Sequence, residues 1–337
     1  MLELNRFGRV KARAGVLGIE VEVEGLEVLP NMDTINWKSK PEDSLRNYGM
    51  EYITAKPMPL GERKTEAVKD LCKMLNSKKT VKDCPRTSVH VHYNVSKHTP
   101  SQIVSCCVAF WLVENLLANY CGEDRESNLF CLRLKDAEGL IDLFQASLDS
   151  FPPFKSLSDN VRYAGLNTKA INDFGSIETR LHGGTIDERD INTWTDELAK
   201  LFQNAVLLGT PEDVFDHYLK VGPEKFVKSM FSTVFAEKLL KGGTSLVEEN
   251  APLLVDLAYC KNWKEWEASL FKKVLETEAR MARLIKKKSG NHYMLFDGTT
   301  HVGYEYSNGA TEFHASGYTN TTQEPPMPFT GDYDDDI

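Results

Sequence analysis

The sequence has 337 residues, of which 41% are hydrophobic and 26% are charged, the composition of an ordinary globular protein of one large or two modest domains. A net charge of -9 argues against a protein that coats nucleic acid, and no apolar run approaches the roughly 20 residues that span a bilayer. The first residues lack the apolar stretch of a secretion signal. We therefore expect a cytoplasmic protein that binds neither nucleic acid nor membranes.

The first predicted element is a strand in the segment VLGIEVEVEG, where three carboxylates alternate with apolar residues. Since neighbouring side chains of a strand point to opposite faces, Glu20, Glu22 and Glu24 share one face. Carboxylates about 7 Å apart repel one another unless cations lie between them. Glu24 lies at the exit of the strand, before Gly25, and we expect water rather than a ligand to reach it.

Two later segments repeat this pattern of ionisable side chains on one face of a strand. TSVHVHYNV brings His90 and His92 to one face, and FGSIETRLHGG does the same for Glu178, Arg180 and His182. An antiparallel sheet with one solvated face is the commonest source of such alternation. The residue types favour a different interpretation, because Glu, His and Arg are groups that bind divalent cations and phosphates. The three strands therefore indicate a metal and phosphate site.

Helices are predicted between and after these strands. One occupies residues 61–76, and a second runs from Thr99 to about Tyr120 with Glu114 on its surface. A third begins at the capping-box segment Thr185-Ile-Asp-Glu188 and ends before Gly209. Its apolar stripe is expected to pack behind the sheet.

The C-terminal half is predicted to be largely helical. Residues 211–289 have helical composition throughout, and the segment Lys286-Lys287-Lys288 would end the last helix, where cations interact favourably with the helix dipole. From Gly290 the sequence alternates small, polar and aromatic residues, as in short strands or an ordered loop. Residues 323–337 combine clustered proline with an acidic end and are expected to be mobile.

The order of these elements resembles the amidoligase family of carboxylate-amine ligases, relatives of glutamine synthetase and glutamate-cysteine ligase. Five short motifs in the same order carry the resemblance, which spans roughly residues 15–200. They are the strand GIEVEVEG, the segment EDSLRNYGMEYITAKPMP, the strand SVHVHYN, the segment RESNLFC, and Asn167 with the strand IETRLHGGT. The resemblance implies an α+β fold with an antiparallel catalytic sheet of the glutamine-synthetase type, backed by helices.

The expected organisation has three parts. A catalytic domain comes first, then a helical region packed on or completing it, then an irregular or short-strand segment with an acidic tail: residues 1–210, 211–289 and 290–337.

The resemblance also implies an ATP-dependent ligase that forms an amide or isopeptide bond through an acyl phosphate. Its cofactors would be ATP and Mg²⁺, with Mn²⁺ as the alternative ion, because phosphoryl transfer needs cations to stabilise the transferring oxygens. By their positions in the motifs, Glu22 and Glu51 would hold one cation. Glu20, His90 and Glu178 would hold the other.

The same resemblance assigns the remaining roles. His92, Asn167 and Arg180 would contact the nucleotide, with Arg180 clamping the transferred phosphoryl group through two parallel hydrogen bonds. Asp43 would receive the proton of the amine and Glu51 would take part in catalysis. Arg125 and Arg162 would bind the carboxylate substrate, while substrate contacts of Arg46 and His182 are left open.

The implied substrates are a small-molecule or peptide carboxylate and an amine, and a homo-oligomer is an open alternative to a monomer. A non-catalytic binding or assembly protein that retains the fold is the alternative function. The presence of every recognisable ligand favours the enzyme, because mutually repelling carboxylates cost stability when no metal neutralises them.

Overall fold

The computed structural model describes residues 2–8, 10–78, 81–82, 84–126, 128–129, 131–137, 139–307 and 310–314. The acidic segment that we expected to be mobile, residues 323–337, lies outside the described residues.

Within the described residues, the strands form two antiparallel sheets, one of seven strands and one of four. The larger sheet contains β1 (Leu17–Gly25), β2 (Trp37–Pro41), β3 (Met50–Thr54), β4 (Val81–Lys82), β5 (Ser88–Asn94), β6 (Leu166–Asn167) and β7 (Ser176–Gly183). Its strands lie side by side in the order β2-β3-β1-β5-β7-β6, and β4 pairs with the end of β1. The smaller sheet contains β8 (Ile285–Ser289), β9 (His292–Asp297), β10 (Thr300–Tyr306) and β11 (Thr311–Phe313).

The helices lie between the strands and throughout the stretch that follows β7. They are α1 (Glu62–Asn76), α2 (Pro100–Cys121), α3 (Glu123–Glu126), α4 (Leu140–Leu148), α5 (Ala170–Phe174), α6 (Glu188–Leu208), α7 (Pro211–Val221), α8 (Pro223–Met230), α9 (Thr233–Leu239), α10 (Ser245–Glu248), α11 (Ala251–Tyr259) and α12 (Trp263–Ala282). The predicted α+β class, with an antiparallel sheet backed by helices, is confirmed. The glutamine-synthetase type of that sheet and the division into three parts stay predictions.

One face of the seven-stranded sheet is apolar and is covered by helices. Ile19 and Val21 of β1 and Val91 of β5 are fully buried, as the alternation of the sequence predicted. Helices α2 and α6 pack on this face, and each buried aliphatic side chain contributes roughly 1.5–3 kcal/mol. At the edge, Trp37 of β2 donates its indole N–H to the carbonyl of Ala67 in α1 over 2.9 Å. This packing leaves the opposite face of the sheet to the ionisable side chains.

Helix α2 is the central helix of this core. The expectation that no apolar run approaches the length of a membrane span is wrong for α2, because by length and hydropathy this helix could cross a membrane. However, 94% of its most apolar window is buried inside the protein. Thr99 caps it through a capping box with Gln102, and Pro100 occupies its first turn. A helix that is apolar on all sides requires protein on all sides, which explains its central position.

The predicted start of α6 is wrong. The helix begins at Glu188, and the carboxylate of Asp187 accepts hydrogen bonds from the backbone N–H groups of Arg189 and Asp190. The capping box that we expected from Thr185 to Glu188 does not form, because Asp187 is an equally good cap and lies directly before the helix. The predicted end of the helix before Gly209 is confirmed.

The helical prediction for the C-terminal half is confirmed as far as Ala282. The prediction that three lysines end the last helix is wrong, because Lys286, Lys287 and Lys288 lie in β8. This strand is an edge of the smaller sheet, and lysines are common in edge strands because their charge discourages pairing with another chain. The short strands expected after Gly290 are confirmed in β9, β10 and β11.

Candidate active site

Strand pairing aligns the ionisable side chains on the face of the larger sheet opposite the apolar face. Strand β1 pairs with β3 so that Glu22 lies opposite Glu51, and it pairs with β5 so that Glu20 lies opposite His90. Directly paired residues point to the same face with Cβ atoms about 4.5–5.5 Å apart. Side chains far apart in the sequence therefore meet on this face.

Glu178 of β7 extends the same row. It lies opposite His92 of β5 on one side and Asn167 of β6 on the other. Asn167 Nδ2 donates to Glu178 Oε2 over 2.6 Å, and Arg180 Nη1 donates to Glu178 Oε1 over 2.6 Å. The structure thus brings the predicted nucleotide contacts His92, Asn167 and Arg180 to one buried carboxylate.

Two overlapping sets of residues on this face could hold metal ions. One set is Glu20, His90 and Glu178, and the other is Glu22, Glu51 and His90. Within each set, one ligand atom per residue lies within 4.8 Å of the others. Carboxylate oxygens suit Mg²⁺ and Mn²⁺, and imidazole is a common ligand of transition metals. The sets contain the predicted ligands, except that His90 was predicted for one cation only and belongs to both sets. Metal binding by these residues stays a prediction.

Ser88 connects the two sets, and sequence reasoning missed it. Its hydroxyl donates to Glu22 Oε2 and lies 2.6 Å from His90 Nε2. A hydroxyl that donates to a carboxylate is oriented to accept from the imidazole, so Ser88 fixes both predicted ligands. The signal was available in SVHVH, because Ser88 is two residues before His90 and shares its face.

Positive charges lie next to Glu20 and Glu178, the carboxylates nearer to β7. Burial alone raises the pKa of Glu20, but the charge of His92 and hydrogen bonds with His90 and His92 hold that pKa well below its usual value. Burial also raises the pKa of Glu178, and the charges of Arg180 and His92 outweigh it, so that this pKa is lowered. Both carboxylates are therefore ionised at neutral pH.

The carboxylates nearer to β3, Glu22 and Glu51, lie in a region with an excess of negative charge. Burial and repulsion from Glu20 and Glu22 raise the pKa of Glu51 well above its usual value, although the charge of Lys40 opposes them. Lys40 Nζ lies 3.2 Å from Glu51 Oε2. Sequence reasoning missed Lys40, which lies opposite Glu51 on β2.

Arg125 supports β7 from behind the site. Its side chain is buried, and it donates through Nε to the carbonyl of Leu181 and through Nη2 to the carbonyl of Arg180, over 3.0 and 2.6 Å. These contacts hold the backbone that carries Arg180. The structure thus gives Arg125 a positioning role, and its binding of a carboxylate substrate stays a prediction.

The remaining predicted residues belong to neither candidate metal set. Asp43 is exposed in the loop that joins β2 to β3, and it forms no ion pair with a residue in the described parts of the chain. Arg162 donates to the hydroxyl of Tyr163 over 2.7 Å and lies 4.8 Å from the centre of that ring. His182 packs against Trp194 of α6, with 5.1 Å between ring centroids. The substrate roles of Asp43 and Arg162 stay predictions.

The expectation that water reaches Glu24 is wrong. The side chain is fully buried, because the loop between β2 and β3 folds over the end of β1. Its Oε1 accepts hydrogen bonds from the backbone N–H of Arg46 and from Arg86 Nη2, each over 2.9 Å. Glu24 is therefore a structural carboxylate, and neither candidate metal set contains it.

Replacing Glu24 by alanine should therefore destabilise the protein without removing a metal ligand. The change leaves the N–H of Arg46 and the guanidinium of Arg86 without their acceptor, which should lower the free energy of unfolding by about 1–3 kcal/mol. Urea denaturation measures this loss, and Mn²⁺ binding to the folded variant should match that of the wild type. An unchanged unfolding midpoint would contradict the structural role.

The prediction of a surface position for Glu114 is also wrong, because its carboxyl group is fully buried in α2. Oε2 accepts from the backbone N–H of Leu134 over 2.7 Å, and Oε1 has no hydrogen-bond partner among the described residues. Burial raises the pKa of this carboxyl group to about 8. It packs against Gly165, whose carbonyl accepts from the N–H of Arg180.

This raised pKa predicts a pH-dependent stability. The pKa of Glu114 is higher in the folded than in the unfolded protein. The contribution of this carboxyl group to the free energy of unfolding is therefore fully present below the usual pKa of 4.5 and is lost as the pH rises toward 8. The loss amounts to about 1.4 kcal/mol per pH unit in that window. Glu114→Gln keeps the acceptor for Leu134, so its stability relative to wild type should increase steadily from pH 5 to 8. Urea denaturation across that range tests this, and a pH-independent difference would refute it.

An α+β fold whose antiparallel sheet gathers four carboxylates and two imidazoles on one face defines a candidate cation and phosphate site. The sequence profile of the family described as "Putative amidoligase enzyme" matches residues 27–201, about half of the chain. The chain belongs to this amidoligase family. The match contains Glu51, His90 and Glu178, whereas Glu20 and Glu22 precede it. No curated protein matched the chain.

Proposed function

We propose that the protein is an ATP-dependent ligase that joins a carboxylate to an amine through an acyl phosphate, with Mg²⁺ or Mn²⁺ as the metal. The observation that carries this proposal is the convergence of two ligand sets on one face of the sheet. Membership of the amidoligase family supports the reaction class. We also propose a cytoplasmic location, where ATP is available.

The residues fit a pair of hard divalent cations. Glu22 and Glu51 would hold one, and Glu20, His90 and Glu178 the other. When bound there, such ions would offset the negative charge of the phosphate oxygens. Burial and then repulsion from neighbouring carboxylates raise the pKa of Glu51, and a cation between the carboxylates would offset that repulsion, in agreement with this assignment.

Two side chains near Glu178, Arg180 and His92, are held in fixed orientations that suit binding of the transferring phosphoryl group. Arg180 is held by Glu178 at the guanidinium and by Arg125 at the backbone, so it is already oriented before a ligand binds. His92 is oriented by Glu20 Oε1 at 2.9 Å and by Ser176 Oγ at 3.0 Å. Groups fixed in this way stabilise developing charge without the cost of reorganisation.

The proposed reaction forms the amide in two steps. A carboxylate oxygen attacks the γ-phosphorus of ATP, and the bond to ADP breaks, which gives an acyl phosphate. The amine nitrogen then attacks the acyl carbon, the bond to the phosphate oxygen breaks, and the amine loses a proton to a base. Asp43 is our candidate for that base, since it lies in the loop next to the end of β3 that carries Glu51.

A product screen tests this function. The protein is incubated with ATP, Mg²⁺ and pooled carboxylates and amines, and the mixture is examined by mass spectrometry. We expect ADP, phosphate and a product whose mass equals that of the two substrates minus one water. If Mg²⁺ and ATP raise the melting temperature but no product forms, the non-catalytic alternative replaces this proposal.

A further inference from the structure

A cavity of about 890 Å³ lies at the β2 edge of the larger sheet. Among the described residues, five basic side chains and no acidic one line it: Lys11, Arg13, Lys38, Lys56 and Arg63. The chain as a whole carries a net charge of -9, so the charge of this cavity is opposite in sign to that of the whole chain. A concave surface of one charge raises the local concentration of oppositely charged ligands.

The cavity borders the ionisable face described above. Lys38 lies opposite Ile53, and Ile53 lies opposite Glu20, so Lys38 shares the face of the carboxylates. Along β2 it is two residues, or about 7 Å, from Lys40, which forms an ion pair with Glu51. A ligand in the cavity can therefore extend one end toward Lys40 and Glu51.

Four of the five cations, all except Arg13, are not neutralised by carboxylates of the described residues. Lys11, Lys38, Lys56 and Arg63 form no salt bridge with any residue in the described ranges. Arg13 is half-buried, and burial lowers the pKa of its guanidinium. Holding several like charges together is unfavourable, and a bound anion relieves the repulsion.

The rest of the lining is mostly apolar. It includes Ile35, Pro57, Met58 and Pro59. The volume falls in the range of about 300–1,000 Å³ that is usual for small-molecule and short-peptide ligands. The cavity thus suits a ligand with several anionic groups and a hydrocarbon frame.

Two anions take part in the reaction of the proposed function, the nucleotide and the carboxylate substrate. The triphosphate would already be neutralised by the bound cations and Arg180, and a purine base carries no charge that needs several further cations. We propose that this cavity binds the carboxylate substrate, and that this substrate carries several negative charges besides the reacting one, as an acidic peptide does. This inference rests on the proposed function for the role of the ligand as substrate, but its binding can be measured without turnover.

Calorimetry with the peptide Glu-Glu-Glu tests the proposal, and Gln-Gln-Gln serves as the uncharged probe. We expect Glu-Glu-Glu alone to bind, and the double variant Lys38→Gln/Arg63→Gln to weaken binding by about tenfold or more. The control variant Lys220→Gln/Lys225→Gln removes the same charge on α7 and α8 and should bind as the wild type does. Neither pair of changes lies among the predicted metal ligands.

A parallel titration with ADP and Mg²⁺ separates the two anions. The cavity variant should bind ADP as the wild type does. Weakened ADP binding with unchanged Glu-Glu-Glu binding would show a nucleotide pocket and overturn the proposal. Absence of Glu-Glu-Glu binding, or equal loss in the control variant, would also overturn it. Specific peptide binding without any ligase product would sink the proposed function while leaving the anion site in place.

Discussion

Replacing Glu178 by glutamine is expected to lower ligase turnover strongly while the protein stays folded. Glu178 belongs to one candidate metal set and accepts hydrogen bonds from Asn167 and Arg180. Glutamine keeps the size of the side chain but removes the charge that would bind the cation and orient the guanidinium. A loss in kcat on the order of a thousandfold is expected when a fixed group that stabilises transferring charge is removed.

Kinetics and metal binding together make this test specific. Equilibrium dialysis with Mn²⁺ should show two ions per chain in the wild type and one in the Glu178→Gln variant. Glu20→Ala should have the same effects, because Glu20 belongs to the same set. As a control, Glu276→Gln removes an exposed carboxylate of α12 and should change neither kcat nor the number of bound Mn²⁺ ions. Wild-type turnover in both Glu178→Gln and Glu20→Ala would refute the metal assignment.

Replacing Arg180 by lysine should lower kcat by on the order of a hundredfold or more, with a smaller change in apparent ATP affinity. Lysine keeps the positive charge but lacks the planar fork that can bind two phosphoryl oxygens at once. An interaction that strengthens in the transition state affects kcat more than substrate binding. Steady-state kinetics at varied ATP concentration measures both parameters.

The matched control for Arg180→Lys is Arg189→Lys, which changes an exposed arginine in the first turn of α6. It should leave both kinetic parameters unchanged. If Arg180 were paired with Glu178 for solubility alone, Arg180→Lys would behave like the wild type. That outcome would remove Arg180 from the proposed reaction.

The faces of the sheet could be predicted because strand alternation is a local property of the sequence. Ile19, Val21 and Glu20 take their sides from the two-residue period, whatever lies next to the strand. The contact of Ser88 with Glu22 and that of Lys40 with Glu51 escaped prediction for the opposite reason. The roles of Ser88 and Lys40 depend on which residue lies near them on a neighbouring strand, and that register is set by contacts between segments distant in sequence.

The errors over Glu24 and Glu114 have a common cause. Each was judged from its own element, but burial depends on what packs over that element. The loop between β2 and β3 covers Glu24, and the protein surrounds α2 on all sides. For Glu114 a signal existed, since residues on every side of α2 are apolar and such a helix is normally buried.

An isotope experiment tests the central claim of an acyl phosphate most directly. The carboxylate identified by the product screen is labelled with ¹⁸O at both oxygens and incubated with the protein, ATP, Mg²⁺ and the amine, and the released phosphate is examined by mass spectrometry. An acyl phosphate transfers one carboxylate oxygen, so each phosphate released with product should carry one ¹⁸O atom. Formation of the amide with unlabelled phosphate would contradict the mechanism.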